Sequence, residues 1–513
     1  MRDQLVEAGR RWAERDGGRR LEALAALCDT WVPAVRPPRA AAGGPYWRLR
    51  ASDLDVHVAV AGWLAERVPA SLAREVDQAL DALAAIRFGR LPVGVRAAAL
   101  AAISAVQPSA RGGLEDLRKL VLLLHHGLEG TDGGNPSWAA MGYPGPPDVP
   151  APPRRPFAAI RSSDLTGPLS ADVCVIGSGA GGGVVAATLA QAGLDVVVLE
   201  AGPDLHEPDF PPQELSAVTG MYWRGGYTSR TAEGDITLLA GATLGGGTTV
   251  NWANCVRPSA ELLDLWAREH GLHDLGSGGL DEHLDAVSAR IGVTAACSDR
   301  NGPNDALRRG AEQLGWFWRP AHRIADAAAY SAESAGHIGL GDRTGSKQST
   351  TRTYLADAVA AGARVAIGFS ARKVLMRAGR AAGVEAMAGA DGAGRHITVR
   401  APSVVIAGGA LETPGVLLRS GLGGPAAGRH LRLHPVAAMV GFYDEPQRPW
   451  WGPPQSVVVD QFVDPAGSGY LLECPHFGPA LSAGTLPWRS GRVPDPAHQH
   501  LVLAARAPGQ GPG

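Results

Sequence analysis

A chain of 513 residues with 48 basic and 50 acidic side chains has a formal charge of −2, which leaves no electrostatic footprint for nucleic acid. This length accommodates two or three domains and a large core. Five scattered cysteines, Cys28, Cys174, Cys255, Cys297 and Cys474, show no C-x-x-C spacing and so indicate neither a zinc site nor a disulfide framework. The N-terminal stretch MRDQLVEAGRRWAERD is charged and lacks the apolar region of a signal peptide. The longest apolar runs, such as residues 97–106, are too short to span a bilayer, so no transmembrane segment is expected. The expected setting is cytoplasmic and reducing, with peripheral membrane association left open. Basic charge is nearly all arginine; the lysines are Lys119, Lys347 and Lys373.

Residues 1–128 read as a helical accessory domain. Leu21, Leu24, Leu27 and Cys28 share a face, and Ser71 is placed to cap a helix with an apolar stripe of Leu72, Val76, Leu80 and Leu83, closed by Gly89. Leu114, Leu117, Val121 and Leu124 repeat the pattern before His125 and His126, which are expected to meet the helix dipole or water rather than a metal. Residues 129–163, rich in Pro and Gly, read as a linker.

The organising stretch is residues 171–203, ADVCVIGSGAGGGVVAATLAQAGLDVVVLEAGP. A short apolar run stops at Gly177, and Gly177, Gly179 and Gly182 fall at G-x-G-x-x-G spacing. An Ala-rich helical stretch and a second apolar run follow, ending in Glu200, 23 residues after Gly177. The first glycine permits the turn, the second lets backbone N–H groups approach a pyrophosphate, and the third lets helix and strand pack closely. The helix N-terminus adds unpaired N–H groups and partial positive charge, and the acid can accept from a ribose diol. LLAGATLGGGTTVNWANCVRP (238–258) suggests a second stretch of backbone pressed on a ligand, with Asn251 and Asn254 flanking Trp252. Residues 261–346 read as a helical insert. Period-two strands over 371–400 precede a short buried strand, 404–406, that ends at Gly408 and Gly409. Two strand-to-glycine junctions, far apart in sequence, favour FAD over a nicotinamide dinucleotide. The expected fold class is α/β: a doubly wound FAD-binding domain from 164–260 and 347–430, with the helical domain before it. A partial antiparallel substrate-binding sheet over 431–513 completes it, built from VAAMVGFY, SVVVDQFV and GYLLECPHF.

The 171–203 unit, LGGGTTVNW (244–252), TYLADA (353–358), KVLMRAGRAAGV (373–384) and GGALETPGVLLRSGL (408–422) resemble the glucose–methanol–choline (GMC) oxidoreductase family. GRHLRLHPV (428–436), WWGPPQ (450–455), LLECPHFGP (471–479) and LAALCDTWVP (24–33) resemble its long-chain fatty alcohol oxidase branch. The resemblance implies a glutathione-reductase-like FAD domain. It implies oxidation of an apolar small-molecule alcohol, a long-chain primary alcohol, to the aldehyde by hydride transfer to FAD, with electrons passed to oxygen or another acceptor. By the family's motifs, Gly177, Ser178, Gly179, Ala180, Gly181, Gly182, Glu200 and Ala201 hold the ADP half. Gly241, Gly245, Gly246, Asn251, Trp252 and Asn254 lie along the ribityl chain and flavin, Gly408 abuts the dinucleotide, and Val374 meets adenine through its backbone.

Two departures qualify this. The branch tends to carry cysteines over 331–347, and this chain has none there. The family places its catalytic histidine in a C-terminal segment, whereas this sequence stops at LVLAARAPGQGPG. His430 and His434 read as structural and His498 and His500 as solvated, so no catalytic residue and no metal ligand is assigned, and weak or absent turnover is expected. A GMC dehydrogenase acting on a sterol, sugar or choline-like alcohol, an inert FAD-binding fragment, and a nicotinamide dehydrogenase remain as alternatives.

Overall fold

The structure, a computed structural model, describes residues 1–35, 44–130, 133–155, 157–165, 167–226, 236–276, 278–389, 394–434, 436–443, 445–464, 469–485 and 499–506. Five parallel strands form its central sheet in the order Ala159–Ile160, Arg364–Ile367, Val196–Glu200, Val173–Ile176, Ser403–Ile406. The two middle strands are buried on both faces, which is why they read as unbroken apolar runs instead of alternating ones. Alternate residues still point to opposite sides. Val173, Val175, Val196 and Val198 meet Ala186, Ala187 and Ala190 of the helix Ala180–Gln191. Cys174, Ile176, Val197 and Leu199 meet Val374, Val384, Ala386, Ile397 and Val399 of a second sheet. That second sheet is a hairpin, Phe369–Arg377 with Arg380–Ala388, extended by Arg395–Arg400 and Leu169–Ser170.

The stretch expected to be a linker carries more structure than its composition suggests. It supplies the edge strand Ala159–Ile160 and a short helix, Pro136–Ala140. Asn135 caps that helix through Oδ1 to the Ser137 N–H, while its Nδ2 donates to the carbonyls of His125 and Leu128. A buried polar staple leaves no apolar period in sequence, so the segment looked structureless.

The N-terminal helices are Arg2–Ala13, Arg19–Trp31, Val56–Arg67, Ala70–Ala85, Val93–Val106 and Pro108–Gly127. Ser71 does not cap its helix: the helix begins one residue earlier, after Pro69, with no side-chain cap, and it ends at Ala85 well before Gly89. The proline presets the entry, so the first turn closes before the hydroxyl can act. His125 and His126 also differ from expectation. Both are buried, with His125 Nε2 2.9 Å from the Tyr46 hydroxyl and the two rings edge to face at 4.8 Å. Burial pushes His125 down to about 4, so it is neutral and unsuited to pairing with a helix dipole. Leu24, Leu27, Val60, Trp63, Val121 and Leu124 share one core cluster with Phe210, Leu215, Val218, Met221, Val250, Ala480 and Leu481. The helical layer is therefore continuous with the elements that carry the glycine stretches.

A third, antiparallel sheet has the order Val436–Phe442, Gln499–Arg506, Tyr470–Glu473, Val457–Val459, Arg319–Pro320. Its last strand comes from the segment expected to be a helical insert. That segment does contain the helices Ala260–His270, Asp281–Arg290 and Gly302–Gln313. None of the five cysteines is in a disulfide. Among the described residues no helix is long and apolar enough to cross a membrane, and no cluster of metal-ligating side chains occurs.

Candidate functional site

The first glycine turn is shaped by close contacts. A Cβ on Gly182 would sit 1.9 Å from the Gly177 carbonyl oxygen, so only glycine lets the helix lie on the strand here. Gly177 has φ +99°, and a Cβ on it would meet the Ala407 carbonyl at 2.4 Å. The two glycine junctions thus lie side by side, because Val173–Ile176 and Ser403–Ile406 pair in register and the Ala407 N–H donates to the Ile176 carbonyl. Gly408 is the N-cap residue of the helix Gly409–Arg419. No side chain caps the helix Ala180–Gln191 at Gly179, and Ala180 and Gly181 are exposed, so its first-turn N–H groups face outward.

Ser178 is the knot of the cradle. It is fully buried; its hydroxyl donates to Glu200 Oε2 at 2.5 Å and accepts from the Gly245 N–H at 2.9 Å. Glu200 also accepts from the Ser178 N–H and, through Oε1, from the Gly202 N–H at 2.7 Å. Three of the roughly four acceptor positions of that carboxylate are in use, leaving one for a diol. Ala201, next along, is exposed. Gly246 lies against Gly179, with a Cβ on the former 3.1 Å from the Cα of the latter, so the second glycine stretch reaches the first turn. Gly241 packs on Gly246 in the same way, at 2.4 Å.

The other expected cofactor residues divide. Asn251 and Trp252 line a cavity, described below, and the Asn251 Oδ1 accepts from the Ala253 N–H. Asn254 turns away to donate to Gln455 Oε1, which leaves its buried Oδ1 without a partner. Val374 is buried in the sheet-to-sheet core, and its N–H, the group expected to read adenine, is donated to Ser420 Oγ at 2.9 Å. His430 and His434 lie on an exposed irregular stretch. His498 lies outside the described residues.

Beside Gly241, Gly247, Asn251 and Trp252 lies a cavity of about 320 Å³, at the lower end of the roughly 300–1,000 Å³ of ligand pockets. Val218, Leu239, Val250, Leu340, Phe477 and Leu481 give it apolar walls. Tyr143, Glu214, Tyr222, His337 and His476 are its polar lining. Tyr143 Oη lies 2.8 Å from His337 Nε2, and the His337 and His476 rings meet edge-on at 6.5 Å. Burial pushes His337 down to about 4 and His476 to about 3, so both are neutral. Glu214 accepts from the Ala480 and Leu481 N–H groups; burial nonetheless pushes it up to about 8. Below the cavity floor, Lys347 Nζ donates to the carbonyls of Thr249, Asn251 and Ile338, each at 2.7 Å, and burial lowers it to about 7. It clamps the loop that carries Asn251 to the 336–340 segment.

Glu214, His337, Lys347 and His476 were not singled out as functional in the sequence. Lys347 left one usable signal: a lysine in a chain that otherwise uses arginine is a position where a compact ammonium with three donors is needed.

A parallel sheet with glycine turns at the ends of two adjacent strands, joined by a third glycine stretch, defines a dinucleotide-binding α/β protein. The GMC oxidoreductase family profile matches residues 218–436, and a profile of NAD(P)-binding Rossmann-like domains matches 175–206. An uncharacterised GMC-type oxidoreductase of Mycobacterium tuberculosis is 33% identical over 464 residues, covering 88% of this chain and 70% of that protein. The long-chain-alcohol oxidase FAO4B of Arabidopsis thaliana is 35% identical over 334 residues, 62% of this chain and 44% of the plant protein. Among solved structures, formate oxidase of Aspergillus oryzae superposes with a TM-score of 0.49 at 16% identity, over 68% of this chain and 75% of that one. This chain belongs to the GMC oxidoreductase family. It spans less than half the length of the plant alcohol oxidases it matches. FAD is the cofactor of that family, and the residues present fit it: a turn in which Gly177 and Gly182 admit no Cβ, an uncapped helix N-terminus, and an acid with one acceptor position left.

Proposed function

We propose that the chain is an FAD-dependent alcohol oxidoreductase that oxidises an apolar primary alcohol, of the long-chain class, to the aldehyde, with oxygen or another acceptor taking the electrons. The observation that carries this reading is the apolar cavity walled by the same 241–252 stretch that reaches the first glycine turn. FAD, when bound, supplies the hydride acceptor. The chain's own contribution is positional. The 180–191 helix N-terminus and the Ser178–Glu200 pair hold the dinucleotide end, and Lys347 fixes the loop bearing Asn251 and Trp252 between cofactor cradle and cavity. Leu239, Val250, Leu340 and Leu481 shed water around an alkyl chain, and burial of each CH₂ contributes about 0.8 kcal/mol. No arginine or lysine side chain lines the cavity among the described residues, which disfavours anionic substrates. The test is anaerobic mixing of the purified yellow protein with a long-chain alcohol. Bleaching of the flavin bands is expected, and failure to bleach with any alcohol, under conditions where dithionite does bleach them, overturns the reading.

A further inference from the structure

His476 lines the cavity with no hydrogen bond from either ring nitrogen to a described residue. Its Nδ1 is sealed off without a partner, so Nε2 is the nitrogen left open to the cavity, with the His337 ring edge-on at 6.5 Å. A neutral imidazole carries one N–H donor and one lone pair, and leaving either unpaired away from water is costly. His337 shares the unpartnered buried Nδ1 but is held through Nε2 by the Tyr143 hydroxyl, so the pair has one anchored ring and one with no bond.

The walls restrict what can satisfy it. Val218, Leu239, Val250, Leu340 and Leu481 suit a hydrocarbon. The single acid, Glu214, is already committed to the Ala480 and Leu481 N–H groups, and its raised pKa leaves it largely uncharged near neutrality, so it offers little counter-charge to a cation. An uncharged ligand with one hydroxyl and an apolar body matches both the orphaned imidazole and the walls. Building on the alcohol oxidoreductase reading, we propose that His476 is the anchor for the substrate hydroxyl, with His337, fixed by Tyr143, as the positioning residue that orients its ring. The desolvation that keeps His476 neutral also makes it a weak base, so the role is to bind and orient the hydroxyl by hydrogen bonding.

The experiment compares two isomers, 1-octanol and 1-methoxyheptane, titrated calorimetrically into the full chain with no turnover. The two have the same atoms, but the ether cannot donate a hydrogen bond. The alcohol is expected to bind about fivefold more tightly, the value of one net hydrogen bond. His476→Leu should erase the preference, and His476→Gln, whose side-chain amide reaches the position of Nε2, should restore part of it. Equal affinity of the unsubstituted chain for the two isomers overturns the proposal, and this arm needs no variant to fold. Retention of the preference in His476→Leu, or tighter binding of choline than of octanol, overturns it as well. Flavin bleaching is scored separately. An isomer preference without bleaching sinks the oxidoreductase reading alone, and bleaching without a preference sinks the anchor alone.

Discussion

Ser178→Ala tests whether the cradle is held as the structure indicates. The hydroxyl joins three segments distant in sequence: the first glycine turn, Glu200 at the tip of the next strand, and Gly245 of the second glycine stretch. Removing it deletes a bond to a charged acceptor, valued at about 1.5–3 kcal/mol, and strands the Gly245 N–H, at about 1–3 kcal/mol. Ser178 is wholly buried, so water has no path to replace the oxygen. A loss of about 3–5 kcal/mol follows, a large part of a net stability of roughly 5–15 kcal/mol. Urea unfolding followed by circular dichroism should show the midpoint falling by on the order of 1 M. The flavin-to-protein absorbance ratio should fall with it, because Glu200 and Gly245 are no longer tied together. An unchanged midpoint with full flavin content would refute the assignment of Ser178 as the link.

Gly182→Ala places a methyl 1.9 Å from the Gly177 oxygen, so the helix must lift from the strand. A cost of at least about 1–3 kcal/mol and loss of bound flavin on gel filtration are expected, and normal flavin retention would contradict the packing argument. Acid should destabilise the protein through its buried neutral histidines. His125 and His337 are held to about 4 and His476 to about 3, against about 6.5 in the unfolded chain, which therefore takes up protons first as pH falls. Stability present above pH 6.5 is lost toward pH 4, by about 1.4 kcal/mol per histidine at pH 5.5. Glu214, raised to about 8, works in the opposite sense: the folded chain takes its proton first, so its stabilisation is full below about pH 4.5 and lost as pH rises through 8. Glu214→Gln should therefore steepen the fall in urea midpoint between pH 7.5 and 5.5, and an unaltered slope would count against a raised Glu214.

The central sheet was legible because a doubly buried parallel strand leaves an unbroken apolar run, and Val173–Ile176 and Val196–Glu200 are such runs bounded by glycine and an acid. Residues 404–406, expected to be a buried strand, instead form the edge of that sheet and are only half-buried; pairing in register with Val173–Ile176 still brings the two glycine junctions together. What the sequence concealed was polar. Asn135 organises the segment before the sheet through four side-chain bonds, and Lys347 clamps the cavity floor through three carbonyls; neither leaves a period. The cavity itself is assembled from residues 143, 214–222, 239–252, 336–340 and 476–481, and only the 239–252 part was read as pressing on a ligand. His476 sits in LLECPHFGP, where the apolar neighbours made the stretch read as one more strand of the substrate-binding sheet.

The helical layer, expected to be an accessory, is coupled to the cavity through one tight contact. Gly127 closes the helix Pro108–Gly127, and a Cβ there would lie 2.9 Å from the Ala480 Cβ and 3.3 Å from the Leu215 Cβ. Both partners flank cavity residues: Leu215 follows Glu214, and Ala480 precedes Leu481, four residues after His476. Gly127→Val cannot be accommodated by rotating a flexible side chain, because the obstructing atoms are Cβ carbons fixed to backbone. The helix Pro479–Thr485 must move outward, and with it the backbone that presents Ala480 and Leu481 to Glu214. Overpacking of this kind costs about 1–3 kcal/mol. The substitution should therefore weaken 1-octanol binding even though residue 127 does not line the cavity, while flavin content, which depends on the 177–202 cradle on the far side of the 241–252 loop, stays near normal. If octanol affinity is unchanged in a folded Gly127→Val protein, the helices are an independent unit after all, and the continuous core cluster does not shape the cavity.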